Sequence, residues 1–264
     1  MSLAAPAAPL PLQSGAELDD IDRFRDRIAA IAAQHRPSRK PFFGRLAELP
    51  DAAARDPEML GRIYLVYQAA MHATRAAVYL LPHLDAPALR KRKLQIFIDD
   101  DGLPGGDTHH YQLARAFRDI GAALPLDDEA FGDLEELCRH LDRDTAHFVR
   151  LAQSLYARSL GAWCVVEVMS EEWMRALADA LSTHHPQIAA APYFAECFAQ
   201  GVEERHAAEA LELTEAVLRR RPPLAPQTLR DAEIMAQALD AVWDRLDAIV
   251  AAAAGATLAK PGKG

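Results

Sequence analysis

Two side chains in the last third of the sequence have the spacing of a metal-ligand pair. Glu203 and His206 form a Glu-x-x-His motif, and a separation of three residues places both side chains on one face of a helix. Carboxylate and imidazole ligands at this spacing build the metal sites of carboxylate-bridged helical bundles. The charged neighbours Glu204 and Arg205 also fit a solvated helix face. Apolar residues before and after the motif nevertheless indicate that part of this face points inward.

Glu167 is the second residue of interest, because it lies in the apolar run from Trp163 to Met169. A carboxylate buried in such a run costs several kcal/mol unless it is paired, protonated or bound to a metal. A structural glutamate that hydrogen-bonds a neighbour is the ordinary alternative. The sequence alone leaves both interpretations open.

A third group of polar residues surrounds a glycine-rich loop. Three consecutive aspartates, Asp99 to Asp101, precede the loop, and His109 and His110 follow it at the start of a helix. A tight loop can bring an aspartate and a histidine close together, and mixed oxygen and nitrogen ligands suit iron or manganese. Ordinary helix capping by the same residues is the alternative.

These residues all lie on segments with helical periodicity. The composition is rich in Ala, Leu, Arg and Glu, which favours helix over strand. We therefore predict an all-α bundle of about eight helices, with short connections at the prolines and glycines. The predicted helices cover residues 14–34, 57–81, 87–101, 109–121, 126–140, 145–181 with breaks near Asp142 and Gly161, 192–220, and a last helix that ends near Ala254.

The chain is predicted to form one domain. Its 264 residues suffice to bury a single substantial core. The proline-rich residues 1–14 and the Ala, Lys, Pro and Gly residues of 255–264 are expected to be flexible tails. This leaves 15–254 as a single helical domain.

Composition also limits the partners and the location that we expect. The formal net charge of -9 is spread over many helix faces, and basic residues occur only in short groups, so nucleic acid is not an expected partner. The three cysteines are too few for a disulfide framework. No convincing signal peptide begins the chain, and the longest apolar run, from Ile249 to Ala259, is too short to span a bilayer. We expect a cytoplasmic protein without membrane contact, and a homodimer is the usual default for a soluble oligomer.

The order of these motifs resembles a known family. Asp100, Gly102, Gly106, His110 and Leu113 follow the pattern of an acidic residue, a glycine, a Gly-rich turn and a histidine with leucine three residues on. In the sequence this pattern is followed by a glutamate on an apolar helix, and then by a motif that contains an acidic residue and a histidine. The same order of motifs is typical of the heme-oxygenase-like diiron oxidases. These are also called CADD-like iron-containing redox enzymes and are related in fold to TenA and PqqC. The resemblance extends over about residues 25 to 250, including Pro41-Phe42-Phe43 before the second predicted helix.

The resemblance implies a fold, a cofactor and an activity. The implied fold is the heme-oxygenase-like (TenA/PqqC-like) helical bundle, and the implied metal ligands are Asp100, His110, Glu167, Glu203 and His206. One or two iron ions and O₂ as co-substrate would make the protein an oxidase or oxygenase of a small organic metabolite, such as an amino acid, an amine or a fatty-acid-like compound, in a biosynthetic pathway. No substrate-binding residue is implied.

The sequence departs from the family pattern at three of its ligand positions. Asp100 stands where the family has glutamate, and Glu203 stands where it has aspartate. The first histidine of the last family motif falls on Ala199, which cannot bind a metal. Glu196 and Gln200 lie within reach on the same predicted helix, and His72 or Asp101 could contribute from elsewhere. The resemblance therefore leaves the second metal open.

Three alternatives remain at this level. One is a metal-free enzyme of the same fold, like the cofactorless oxidase PqqC or the hydrolase TenA. TenA uses a cysteine nucleophile with a carboxylate nearby, and here Cys164 lies one helical turn from Glu167. A haem oxygenase would need a proximal histidine on the first helix, where His35 is the only candidate. A non-catalytic scaffold or partner subunit would explain the missing ligand at Ala199.

Overall fold

The computed structural model describes residues 20–71, 79–100, 108–125, 134–198 and 201–259. All regular secondary structure in these ranges is helical, and the ranges contain no strand. The predicted all-α class is therefore confirmed.

Twelve α-helices lie within the described residues, so the predicted number of about eight is wrong. They are α1 (Phe24–Gln34), α2 (Pro41–Ala47), α3 (Asp51–Ala54), α4 (Pro57–Met71), α5 (Pro87–Asp100), α6 (His109–Asp119), α7 (Leu134–Arg139), α8 (Arg143–Arg158), α9 (Gly161–Ser182), α10 (Pro192–Phe198), α11 (Val202–Arg220) and α12 (Ala225–Ala259). Short 3₁₀ helices cover Pro37–Arg39, Leu81–His83, Pro186–Ala190 and Pro222–Leu224. Part of the excess comes from α2 and α3, which are too short to show helical periodicity in sequence.

A second reason for the higher number is a break in the predicted helix over residues 192–220. The chain forms two helices there, α10 and α11, and Gly201 before α11 has a φ of 65°. This left-handed conformation interrupts a right-handed helix and is adopted most easily by glycine. Residues 199 and 200 lie outside the described residues.

Several predicted helix boundaries agree with the structure. Prolines begin α4 and α5, at Pro57 and Pro87. Thr108 caps α6, since its Oγ1 accepts a hydrogen bond from the Tyr111 backbone N–H at 3.2 Å. The last helix continues to Ala259, beyond the expected end near Ala254, because its alanine-rich end has high helix propensity.

Helix α9 is the centre of the packing. It lies mainly against α12 and α11, and 13 of its 22 residues are buried. Aromatic side chains fix one side of it: the Trp173 ring on α9 lies 5.9 Å from the Trp243 ring on α12, and Phe43 lies 5.3 Å from Trp243. A helix that is apolar on most of its faces is expected to be buried in this way.

The start of α9 is attached closely to α12. The Ser159 hydroxyl donates to Asp231 Oδ2 at 2.9 Å, and the guanidinium of Arg158 donates to Asp231 Oδ1 at 2.6 Å. Gly161 is so close to the Thr228 carbonyl that a Cβ at this position would overlap with it. These contacts fix the position of α9 along its axis.

A helix that spans a membrane needs about 20 consecutive, mostly apolar residues. None of the helices in the described ranges is both long enough and apolar enough to cross a bilayer.

Two glycine substitutions test the packing of α9. Gly161→Ala should lower the free energy of unfolding by about 1 to 3 kcal/mol, because its methyl group overlaps with the Thr228 carbonyl. Gly44→Ala, in α2, meets no atom within 4 Å and should be neutral or stabilise by about 0.5 to 1 kcal/mol, since alanine is the better helix former. Urea denaturation of both variants measures the difference. Equal stabilities would show that α9 and α12 do not approach so closely.

Candidate metal centre

Three of the five predicted ligands lie together in the structure. Glu167 on α9 and Glu203 and His206 on α11 each offer one ligand atom, and these atoms all lie within 4.8 Å of one another. Glu203 is 6% exposed and His206 is 4% exposed. Two carboxylates and one imidazole from two helices therefore form a group that could hold a metal ion, with Glu203 and His206 buried and Glu167 partly buried.

Glu167 is held by a tryptophan and a lysine. Trp163, one turn earlier on α9, donates its indole Nε1–H to Glu167 Oε1. The Lys93 Nζ atom lies 3.9 Å from the same oxygen and 3.8 Å from the centroid of the Trp163 ring. The edge of the indole thus contacts the carboxylate while its face contacts the ammonium group.

The Lys93 side chain is only 1% exposed, which is exceptional for a lysine. A buried ammonium group must be compensated by nearby negative charge or electron density. The carboxylate of Glu167 and the ring of Trp163 both provide this compensation. The three side chains form a unit, called here the Lys93–Trp163–Glu167 triad.

Glu203 is oriented by a serine on the neighbouring helix. Ser170 lies three residues after Glu167 on α9, and its hydroxyl donates to Glu203 Oε2 at 2.9 Å. Glu203 also belongs to the first turn of α11, where the unsatisfied backbone N–H groups and the helix dipole favour a negative charge. Both effects favour the ionised carboxylate that a metal ion requires.

A cavity of about 120 Å³ adjoins the three ligands. Its polar wall consists of His109, Glu167, Ser170, Glu203 and His206. Its remaining wall is apolar or aromatic and consists of Met71, Val166, Trp173, Met174, Tyr193 and Cys197. A small molecule in this space would contact the ligands on one side and a largely apolar surface on the other.

Two tyrosines are buried beside this cavity. The hydroxyl oxygens of Tyr67 and Tyr193 are 3.4 Å apart, and the Tyr193 hydroxyl lies 3.5 Å from Met174 Sδ. Burial is the main cause that raises the pKa of both phenols well above the ordinary value, and the nearby charge of Glu203 contributes. Both phenols are therefore neutral at physiological pH.

His110 lies beside α4 and is not a member of the convergent group. The Gln68 amide Nε2 donates to His110 Nδ1 at 2.9 Å and to the His110 backbone carbonyl at 3.3 Å. Burial lowers the pKa of His110 to about 4, with a smaller effect of His109. The imidazole is therefore neutral near pH 7, and its proton lies on Nε2 when Nδ1 accepts from Gln68.

The structure gives less information on the other predicted ligand positions. Asp100 is the last residue of α5, seven residues or about two turns after Lys93, and its side chain lies outside the described part. Asp101, His72, Ala199 and Gln200 lie outside it as well. Glu196, an alternative ligand in the sequence, instead accepts a hydrogen bond from Gln112 Nε2 at 2.8 Å.

The residues required by two alternatives are engaged elsewhere. Cys164 is fully buried, and burial raises the pKa of its thiol to about 12, so it is not a thiolate at neutral pH. The two ring nitrogens of His35 face carboxylates on α12, with Nδ1 2.7 Å from Asp240 and Nε2 3.3 Å from Glu233. Neither residue has the surroundings of a nucleophile or of a haem ligand.

Comparison with known proteins does not assign this centre to a family. No family model matches the chain, and a search of curated proteins finds no similar sequence. The chemistry of the centre is therefore inferred from the residues that form it.

Three residues around the ligands, Lys93, Trp163 and Ser170, were not predicted from the sequence to take part, and His109 was considered only together with His110 at the start of its helix. For His109 a signal existed, since His109, Gln112, Leu113 and Ala116 are buried at the i, i+3, i+4, i+7 spacing of an inward helix face. Ser170 likewise follows Glu167 by three residues, on the same face. Lys93 had no such signal, because it ends a run of four basic residues that is typical of a solvated surface.

The lowered pKa of His110 predicts a pH effect on the metal-free protein. Between about pH 6.5 and pH 4 the unfolded chain binds a proton at this position and the folded protein does not, so stability falls as the pH falls through this range. The loss attributable to His110 is about 3 kcal/mol. Denaturation at several pH values should show a weaker acid destabilisation in His110→Gln than in the unmodified protein. The prediction would be contradicted if the free energies of unfolding of the two proteins changed equally with pH. An NMR titration that gave the His110 ring a pKa near 6.5 would also contradict it.

Proposed function

We propose that this protein is a non-haem iron enzyme, an O₂-dependent oxidase or oxygenase of a small organic metabolite. The observation that carries the proposal is the convergence of Glu167, Glu203 and His206 beside a cavity. The family resemblance of the sequence supports iron and O₂ in particular. Under this proposal Asp100 and His110, which the resemblance adds, complete the ligand set.

The donor atoms fit a divalent metal of this class. Carboxylate oxygen and imidazole nitrogen are the ligands of non-haem iron and of manganese, whereas sites selective for zinc or copper(I) are richer in thiolate. Two carboxylates balance the charge of one divalent ion. The buried position removes competing water, which strengthens the binding of a cation by these charges.

The residues around the ligands have separate tasks under this proposal. Glu167, Glu203 and His206 would hold the iron, which would provide redox chemistry and open coordination positions for O₂. Ser170 fixes the orientation of Glu203, and the indole N–H of Trp163 fixes that of Glu167. Neither carboxylate can then turn freely away from the ion.

The cavity wall determines what can approach the ligands. Trp173, Met174 and Tyr193 present apolar surface and exclude bulk water, so an apolar part of the substrate binds there. The neutral phenol of Tyr193 adds no charge to the site. These features favour a small substrate with an apolar portion over a highly charged one.

Anaerobic loading with ferrous iron tests the proposal. The unmodified protein should retain iron after gel filtration and should consume O₂ when exposed to air. Glu167→Ala, Glu203→Ala and His206→Ala should each retain less than about a tenth of that iron, because each removes one of the three converging ligands. Metal analysis and an oxygen electrode provide the two measurements.

Glu204→Ala is the matched control, since Glu204 is exposed on the same turn of α11 as Glu203. It should load iron and consume O₂ as the unmodified protein does. Absence of iron in the unmodified protein would exclude the oxidase and favour a scaffold. Unchanged iron in Glu167→Ala would show that the ligand assignment is wrong.

A further inference from the structure

The Lys93–Trp163–Glu167 triad bears on how many metal ions the centre holds. Dinuclear carboxylate sites hold two ions roughly 3.5 to 4 Å apart, with carboxylates between or beside them. A second ion next to Glu167 would need an oxygen of that carboxylate and enough negative charge to balance it. In the structure, Trp163 and Lys93 lie at one oxygen of this carboxylate.

We propose that the ammonium group of Lys93 stands in the place of a second metal ion beside Glu167, so that the centre is mononuclear. This inference rests on the proposed function, because it assumes that Glu167, Glu203 and His206 bind a metal. It goes further in stating that the number of ions is one and that a lysine determines it.

The first argument concerns the oxygen atoms of Glu167. Within the described part of the chain, the contacts of its carboxylate with Trp163 and Lys93 both involve Oε1. Oε1 therefore already accepts a hydrogen bond and faces a positive charge. Oε2 is the atom left for a metal ion, so Glu167 cannot bridge two ions through both of its oxygens.

The second argument concerns the distance between charges. A metal ion bound to Oε1 at an ordinary distance of about 2 Å would lie within about 6 Å of Lys93 Nζ, which is 3.9 Å from that oxygen. Repulsion between an ammonium group and a divalent ion at this separation is strong in a buried site, where little water screens it. Lys93 cannot withdraw easily, because it is packed against the Trp163 ring and is 1% exposed.

The charge of Lys93 also reduces what Glu167 can offer to a second ion. The carboxylates of Glu167 and Glu203 belong to the convergent group, and the ammonium group of Lys93 lies beside the first of them. Lys93 therefore already compensates part of the negative charge that a second divalent ion next to Glu167 would need.

Titration with Mn²⁺, followed by electron paramagnetic resonance and metal analysis, tests the inference. The unmodified protein should bind one Mn²⁺ per chain and show the six-line spectrum of an isolated ion, even with Mn²⁺ in excess. Lys93→Met, which keeps the length of the side chain and removes the charge, should bind a second ion at least about tenfold more tightly than the unmodified protein does. A spin-coupled pair should then appear at high loading.

Two controls separate the charge of Lys93 from the effects of any lysine substitution. Lys93→Arg keeps the positive charge and should remain mononuclear. Lys40→Met removes a lysine that pairs with Asp240, at a position distinct from the centre, and should leave the metal stoichiometry unchanged. If Lys93→Met does not fold, Lys93→Gln replaces it, and circular dichroism monitors the fold of each variant.

The outcomes distinguish this inference from the proposed function. A spin-coupled pair in the unmodified protein would overturn the mononuclear centre and leave the metal site itself intact. Unchanged stoichiometry and affinity in a folded Lys93→Met variant would overturn the role of Lys93. No metal in any variant would overturn the proposed function, and this inference with it.

Discussion

The structure depends above all on how it keeps the Glu167 carboxylate inside a helical core. An isolated buried carboxylate costs several kcal/mol or becomes protonated. Here a donor from Trp163 and the charge of Lys93 compensate the Glu167 carboxylate on one oxygen, and Glu203 and His206 offer ligand atoms within 4.8 Å of it. The protein has therefore arranged polar groups from three helices around one point, at a cost that a purely structural core would avoid.

This arrangement requires that the helices be held accurately. Helix α9 supplies both Glu167 and Ser170, and its start is fixed on α12 by Gly161 and by the hydrogen bonds to Asp231. Helix α11 starts anew after the left-handed Gly201, which places Glu203 in a first turn where the helix dipole favours its charge. Gly161, Gly201 and the buried Asp231 thus determine where the helices that carry the ligands lie.

Much of the fold followed from the sequence, because prolines, glycines and helical periodicity are local signals. The starts of α4, α5 and α6 and the all-α class are of this kind. The break at Gly201 was missed, since a single glycine within a helical pattern is compatible with an unbroken helix. The short α2 and α3 were missed because periodicity needs more residues than they contain.

The three converging ligands were easier to predict from the sequence than the residues that surround them. Glu167 was conspicuous as a charge in an apolar run, and Glu203 with His206 had a recognisable spacing. Lys93 was not conspicuous, because burial of a lysine is decided by the helices that pack over it and not by its neighbours in sequence. His110 was favoured by family resemblance, while the structure lines the cavity with His109.

A crystal structure of protein loaded with iron or manganese, with anomalous diffraction from the metal, tests the central claim most directly. The account predicts one anomalous peak per chain, about 2.0 to 2.3 Å from an oxygen of Glu167, an oxygen of Glu203 and a nitrogen of His206. No peak at these residues, or a peak bound by other side chains, would contradict it.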